Sequence, residues 1–202
     1  MTSYFSDVIR SLRDIGFKIN WTLLKIGYEG RDFLPRLISA DEIRRYAEDS
    51  IDTMETGYES IARFIISEGE ASVCEVLGEM SRRENADRSI QARKLRAYLV
   101  RETLATLTSD YFKGLLELSD LWATLGFPDD GPHIIQGSHN SLSPQEYYTQ
   151  DMFELLLERH ERWLEGEVRS IKGIESNVEE VFPESGSTVC QKNDGLGGKS
   201  DA

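Results

Sequence analysis

The 202-residue sequence has little of the material from which familiar catalytic and structural sites are built. It contains two cysteines and three histidines. Neither Cys74 nor Cys190 has a second cysteine or a histidine at the spacing of a zinc motif, and two cysteines make no disulfide framework. A phosphate-binding glycine loop, a dinucleotide fingerprint and a nucleophile elbow are all missing. We therefore expect no enzyme activity, no metal and no cofactor.

Long apolar runs are missing too. No stretch approaches the roughly 20 residues that cross a bilayer. Residues 1–13 alternate charged and apolar side chains, unlike the uninterrupted apolar segment of a secretory signal. The sequence therefore predicts a cytoplasmic protein that does not associate with membranes.

Positive charge is scarce. Lys and Arg number 23 against 36 Asp and Glu, so the formal net charge is −13. Because binding to nucleic acid relies on clustered cations, we expect no nucleic-acid partner. Acidity of this kind instead favours solubility or a basic partner.

The charge is also uneven along the chain. Residues 41–79 hold eleven acidic and three basic residues, whereas residues 85–113 hold six basic and three acidic ones. We favour the interpretation that helices of complementary charge pack side by side. The alternative is a polarised surface that steers a partner.

What the sequence does contain is helical periodicity. Apolar residues recur at spacings of three and four nearly throughout, and no alternating stretch is long enough for a sheet. Helix starts are indicated at Asn20, at the Ser39–Glu42 capping box, at Asp110 and at Ser143, where Pro144 and a glutamate follow. The last of these helices is predicted to run toward Ile171.

These patterns predict an all-α protein, a compact bundle of about seven or eight helices over residues 1–182. A solenoid of short helical hairpins is the alternative, but no repeat period supports it. From residue 183 onward the composition turns to Gly, Ser, Asn and Lys. Residues 183–202 are therefore predicted to be a disordered tail.

One polar loop, Gly126–His133, contains aromatic and acidic residues that a simple connection between two helices would not need. Phe127 with Asp129 and Asp130 places an aromatic anchor beside carboxylates, and the Pro144 helix start should turn at least one tyrosine of Tyr147 and Tyr148 away from the core. Aromatic anchors with a polar rim are typical of protein interfaces. The candidate partner-binding residues are Phe127, Asp129, Asp130, His133, Tyr147 and Tyr148. The alternative is an ordinary interhelical loop.

The three histidines give a second hypothesis. His133 and His139 share the loop with two carboxylates, and an enzyme that uses this loop, with or without a metal, is the main alternative function. Their spacing matches none of the helical metal-ligand motifs. Both are expected to be solvated. His160 lies within Glu158–Arg162 and is expected on an exposed, charged helix face.

Three segments of the sequence resemble a family of uncharacterised bacterial proteins, domain of unknown function 2247. They are Asn20–Tyr28, the Ile38–Ile43 helix entry with Tyr46 and Ala47 after it, and Gly126–Asp130. The resemblance extends over residues 17–170 and implies no known enzymatic activity.

By analogy of size, charge and helical character, the chain looks like an immunity protein that neutralises a secreted toxin. We therefore expect a protein-binding module, most concretely one whose partner is a basic toxin domain. An oligomeric scaffold is a third hypothesis, and the sequence leaves the oligomeric state open.

Overall fold

A computed structural model of the chain describes residues 7–30, 33–51, 58–66, 69–137 and 141–181, with side chains to residue 177. Within these residues the protein is all-α, as predicted, with no strand. The described residues form nine helices, which are α1 Val8–Ile15, α2 Trp21–Glu29, α3 Ala40–Ser50, α4 Tyr58–Ile66, α5 Glu70–Glu84, α6 Arg88–Thr106, α7 Tyr111–Thr124, α8 Pro144–Tyr147 and α9 Gln150–Val181. The predicted tail, residues 183–202, lies outside the described residues.

Most helix starts follow from the side chains that cap them. Asn20 accepts from the Leu23 amide at the start of α2. Ser39 and Ser143 each form a complete capping box at α3 and α8. Asp110 caps α7. Each of these carboxylate, amide or hydroxyl groups satisfies an amide that the first helical turn leaves free, so these predicted starts are confirmed.

The predicted single helix from Pro144 to Ile171 is wrong, because the chain breaks after one turn. Tyr148 leaves the helical conformation, and Thr149 starts a new helix. Its hydroxyl accepts from the Met152 amide at 3.2 Å and its carbonyl from the Phe153 amide at 3.1 Å. This second cap raises the helix count from eight to nine, and α9 continues to Val181.

Most buried apolar side chains of the described helices form one core, in which α2 packs against α5 and α6. A smaller core of Leu115, Leu118, Tyr147, Phe153 and Leu156 lies between α7, α8 and α9. A central core shared by helices from all parts of the chain is the expected compact bundle, not a solenoid. No helix among the described residues is both long and apolar enough to cross a membrane.

Helices α6 and α9 run antiparallel and are joined by ion pairs. Arg93 forms a two-pronged hydrogen bond to Glu167 at 2.8 Å. Lys94 is fully buried, and its ammonium contacts Glu175 Oε1 at 2.6 Å and donates to the Lys18 carbonyl. The favoured interpretation of the sequence packs the basic segment, residues 85–113, against the acidic segment, residues 41–79. That expectation is wrong for these α6 cations, because they pair with carboxylates of α9.

Candidate functional site

The long connection from α7 to α8 returns the chain to the start of α9. Gly114 approaches the Phe153 ring near the start of both helices, and Trp122 bonds His160 further along, so α7 and α9 run parallel. The chain must therefore cross back between the end of α7 and the start of α9, and the described residues 125–137 and 141–143 belong to this crossing segment. The predicted site residues lie on and beneath this segment.

The structure links most of the predicted residues through their rings. Phe127 stacks on His133 with ring centroids 6.4 Å apart, and Tyr147 Oη lies 3.4 Å from His133 Nε2. Tyr147 meets Tyr148 edge-on at 5.1 Å, and Tyr148 packs on Phe112 at 4.9 Å. We call these five residues, Phe112, Tyr148, Tyr147, His133 and Phe127, the aromatic array.

The middle of the array is buried and its two ends are exposed. Tyr147 is only 1% exposed, so it supports the surface from below and has no area to offer a partner. Phe127 is 39% exposed and Phe112 47%, while Tyr148 is half-buried. Neither tyrosine of the pair points fully away from the core, because Tyr147 is buried and Tyr148 packs against the smaller core.

His160 lies under the array, and the expectation that it is exposed is wrong. Its side chain is fully buried. Trp122 Nε1 donates to His160 Nε2 at 2.6 Å, and the Leu156 carbonyl contacts Nδ1. Because an indole nitrogen can only donate, Nε2 must accept and Nδ1 must carry the proton. The ring is therefore neutral, in keeping with burial, which lowers its pKa.

His133 is half-buried, so the expectation of a solvated loop histidine is wrong for it. Ser119 Oγ donates to the Leu115 carbonyl at 2.8 Å and lies 3.2 Å from His133 Nε2. The hydroxyl has one proton, so His133 Nε2 donates when that proton lies on the Leu115 carbonyl and accepts when the proton turns to the ring. His133 Nδ1 is buried and has no hydrogen-bond partner among the described residues. Burial, with the nearby His160 and Arg159, lowers the pKa of His133 to about 4.

The two aspartates of the loop differ in their surroundings. Asp130 accepts two hydrogen bonds from Arg96, which hold its pKa below the ordinary value, and its carbonyl accepts from Trp163 Nε1 at 2.9 Å. Asp130 thus fastens the loop to α6 and α9. Asp129 is exposed and forms no ion pair among the described residues. It is free to meet a partner.

Two further features of the surface were missed from the sequence. Phe33 is 72% exposed, and its ring lies against Gly126, where a Cβ would be 2.7 Å from Phe33 Cγ. Phe33 and Phe127 both adopt positive φ, +67° and +48°. Left-handed backbone costs a residue with a side chain roughly 1–2 kcal/mol. The only sequence signal was the glycine before Phe127, since left-handed turns favour glycine.

The segment of the chain that contains the array carries a strongly negative charge. Between Asp110 and Asp151 the sequence contains seven acidic residues and Lys113 as its only lysine or arginine, a net charge of −6. These residues include the caps of α7 and α8 as well as the loop carboxylates. The segment that carries the exposed aromatic side chains is therefore acidic, while α6 and α9 bring Arg96 and Arg159 close to it.

The sequence profile of one bacterial family matches residues 9–168 of the chain. The family is described as an uncharacterised protein conserved in bacteria (DUF2247). The chain belongs to this family. The match contains every residue of the aromatic array, and it confirms the resemblance found in the sequence. No curated protein and no solved structure matches the chain.

The catalytic hypothesis of the His133 loop stays a prediction in this DUF2247 member. Ser119 Oγ lies within hydrogen-bond distance of both His133 Nε2 and the Leu115 carbonyl of its own helix. His139 lies outside the described residues. Among the residues that the structure describes, no three His, Cys, Asp or Glu side chains are grouped to hold a metal ion.

Proposed function

We propose that the protein is a protein-binding module whose partner is basic, most concretely a toxin domain that it neutralises in the cytoplasm, as an immunity protein would. The observation that carries this proposal is that the exposed aromatic side chains belong to a segment, residues 110–151, with a net charge of −6. Acidic side chains speed the encounter with a basic partner, and desolvated aromatic anchors slow its release.

The buried half of the array supports the same proposal. A binding surface gains affinity when its anchors are already ordered before the partner arrives. Phe127 is held by the hydrogen bond that its amide donates to the Trp122 carbonyl, at 2.9 Å, and by stacking on His133. An asparagine or glycine would adopt the same backbone at lower cost. A phenylalanine at this position is better explained by contact with a partner.

Asp129 gives the sharpest test. The Asp129→Lys variant reverses a charge that no described residue pairs, whereas changing Asp130 would also break its bonds to Arg96. Asp49→Lys, an exposed aspartate on α3 with no ion pair among the described residues, is the matched control. Each tagged protein is used to capture partners from the native cells at low and moderate salt, and the bound proteins are quantified by mass spectrometry.

We expect one basic protein in near-equal amount with the wild type and with Asp49→Lys, and much less with Asp129→Lys. Recovery should fall as salt rises, because salt screens exposed charges. Phe112→Ser should lose the partner at both salt concentrations, since its contribution is apolar. Equal capture by all four proteins would place the interface elsewhere. Capture of copies of the chain itself would instead support the scaffold hypothesis.

A further inference from the structure

Helices α1, α6 and α9 leave an open groove of about 500 Å³ further along α9 than the array. Its floor is apolar and is formed by Ile15, Leu164 and Val168. The α9 portion, Leu164 to Lys172, has nine residues and therefore spans about 12 Å along the helix axis. A volume of this size lies in the range of small-ligand sites.

The rim of the groove is positively charged, although the chain is acidic. Arg101, Arg169 and Lys172 line it together with a single carboxylate, Glu165, so its formal charge is +2 on a chain of −13. Such a local reversal of charge beside apolar side chains favours an anionic ligand with an apolar body.

Two of the rim cations are placed by α1. The Arg101 guanidinium donates to the Ser11 carbonyl at 3.4 Å. The Lys172 ammonium lies against Gly16, the cap at the C-terminal end of α1, where a Cβ would be 2.7 Å from Nζ. Arg169 is exposed and forms no ion pair among the described residues. It is the cation best placed to receive a ligand carboxylate.

We propose that this groove binds one long-chain carboxylate, with the acyl chain on the apolar floor and the carboxylate at Arg169. The dimensions decide against a macromolecule. The groove is lined by seven side chains, far fewer than the roughly 20–30 residues that each partner contributes to a stable protein interface. A nucleic acid would use the cations and leave the apolar floor unused.

Calorimetric titration of the full-length protein with straight-chain carboxylates from octanoate to hexadecanoate, each below its micelle concentration, tests this. Affinity should rise about two- to fourfold per methylene while the chain still finds apolar floor, and then level off. Decanol, which lacks the charge, should bind at least tenfold more weakly than decanoate. Equal binding of decanol, or no binding of any carboxylate, would overturn the proposal.

A charge reversal places the ligand in the groove. Arg169→Glu should weaken decanoate binding about tenfold or more. Arg88→Glu, at an exposed site some 20 Å away at the other end of α6, should leave it unchanged. Urea unfolding of both variants confirms that they fold equally well. The same loss in both variants, or in neither, would refute binding at Arg169. Because no partner protein is involved, this result is independent of the proposed toxin binding.

Discussion

Acidification should destabilise the protein through the two imidazoles beneath the array. Folded His133 has a pKa of about 4, below the 6.5 of an unperturbed histidine, and burial also lowers the pKa of His160. As the pH falls, the unfolded chain therefore takes up these protons first. Their contribution to stability is complete above about pH 6.5 and is lost as the pH falls toward the folded pKa.

The size of this loss of stability follows from the difference between the pKa values of the histidine in the folded and the unfolded protein. A histidine with pKa values of about 4 folded and 6.5 unfolded loses about 2 kcal/mol of stability between about pH 7.5 and pH 5. Because His133 is only half-buried, screening by solvent reduces this loss to about 1 kcal/mol. His160 adds a loss in the same direction. Carboxylates whose pKa values are lowered, such as Asp130, change the stability only below about pH 4, where the unfolded chain begins to protonate them.

Urea unfolding followed by far-ultraviolet circular dichroism at several pH values measures this loss. His133→Phe keeps a ring in the array without a titrating group, and His160→Gln keeps an acceptor for the Trp122 N–H. Lowering the pH also relieves repulsion within the acidic chain, but it does so equally in these variants, so the difference from wild type isolates the imidazoles. A double variant that loses stability with pH as steeply as the wild type would refute the argument.

Three further predictions concern packing, buried charge and backbone strain, and urea unfolding measures each of them. Gly114→Ala should cost about 1–3 kcal/mol, because the new Cβ would lie 2.4 Å from the Phe153 ring, whereas alanine at the open position Gly78 should be neutral or stabilising. Lys94→Met should cost about 3 kcal/mol, since it leaves the Glu175 carboxylate without its buried partner, and a neutral result would contradict the pairing. Phe33→Asn should stabilise the protein by about 0.5–1 kcal/mol by relieving left-handed strain, and a loss would mean that the ring's packing on Gly126 outweighs the strain.

The sequence was sufficient for the helix starts because each depends on one local side chain. Ser39 and Ser143 have their partner glutamates three residues away, and both boxes form as predicted. The break after α8 was missed because the apolar spacing continues through it. Only the Thr149 cap, an equally local signal, marked the place where the helix restarts.

His160 was misjudged because its immediate neighbours are charged. The relevant neighbours on a helix lie three, four and seven residues away, and Phe153 and Leu156 place His160 on the buried stripe of α9. Its bond to Trp122 joins residues 38 positions apart, which no local pattern encodes. The same holds for Phe33, whose contact with Gly126 depends on the packing of two distant loops.

The array divides into a buried half that fixes its position and an exposed half that forms the proposed binding surface. The hydrogen bonds of His160, His133 and Ser119 fix the crossing segment from within, and none of these groups needs to touch a partner. A network of this kind tolerates little change, because each lost partner leaves a buried polar group unsatisfied. Phe112 and Asp129 stand outside it, so substitutions there alter the chemistry offered to a partner while the segment keeps its position.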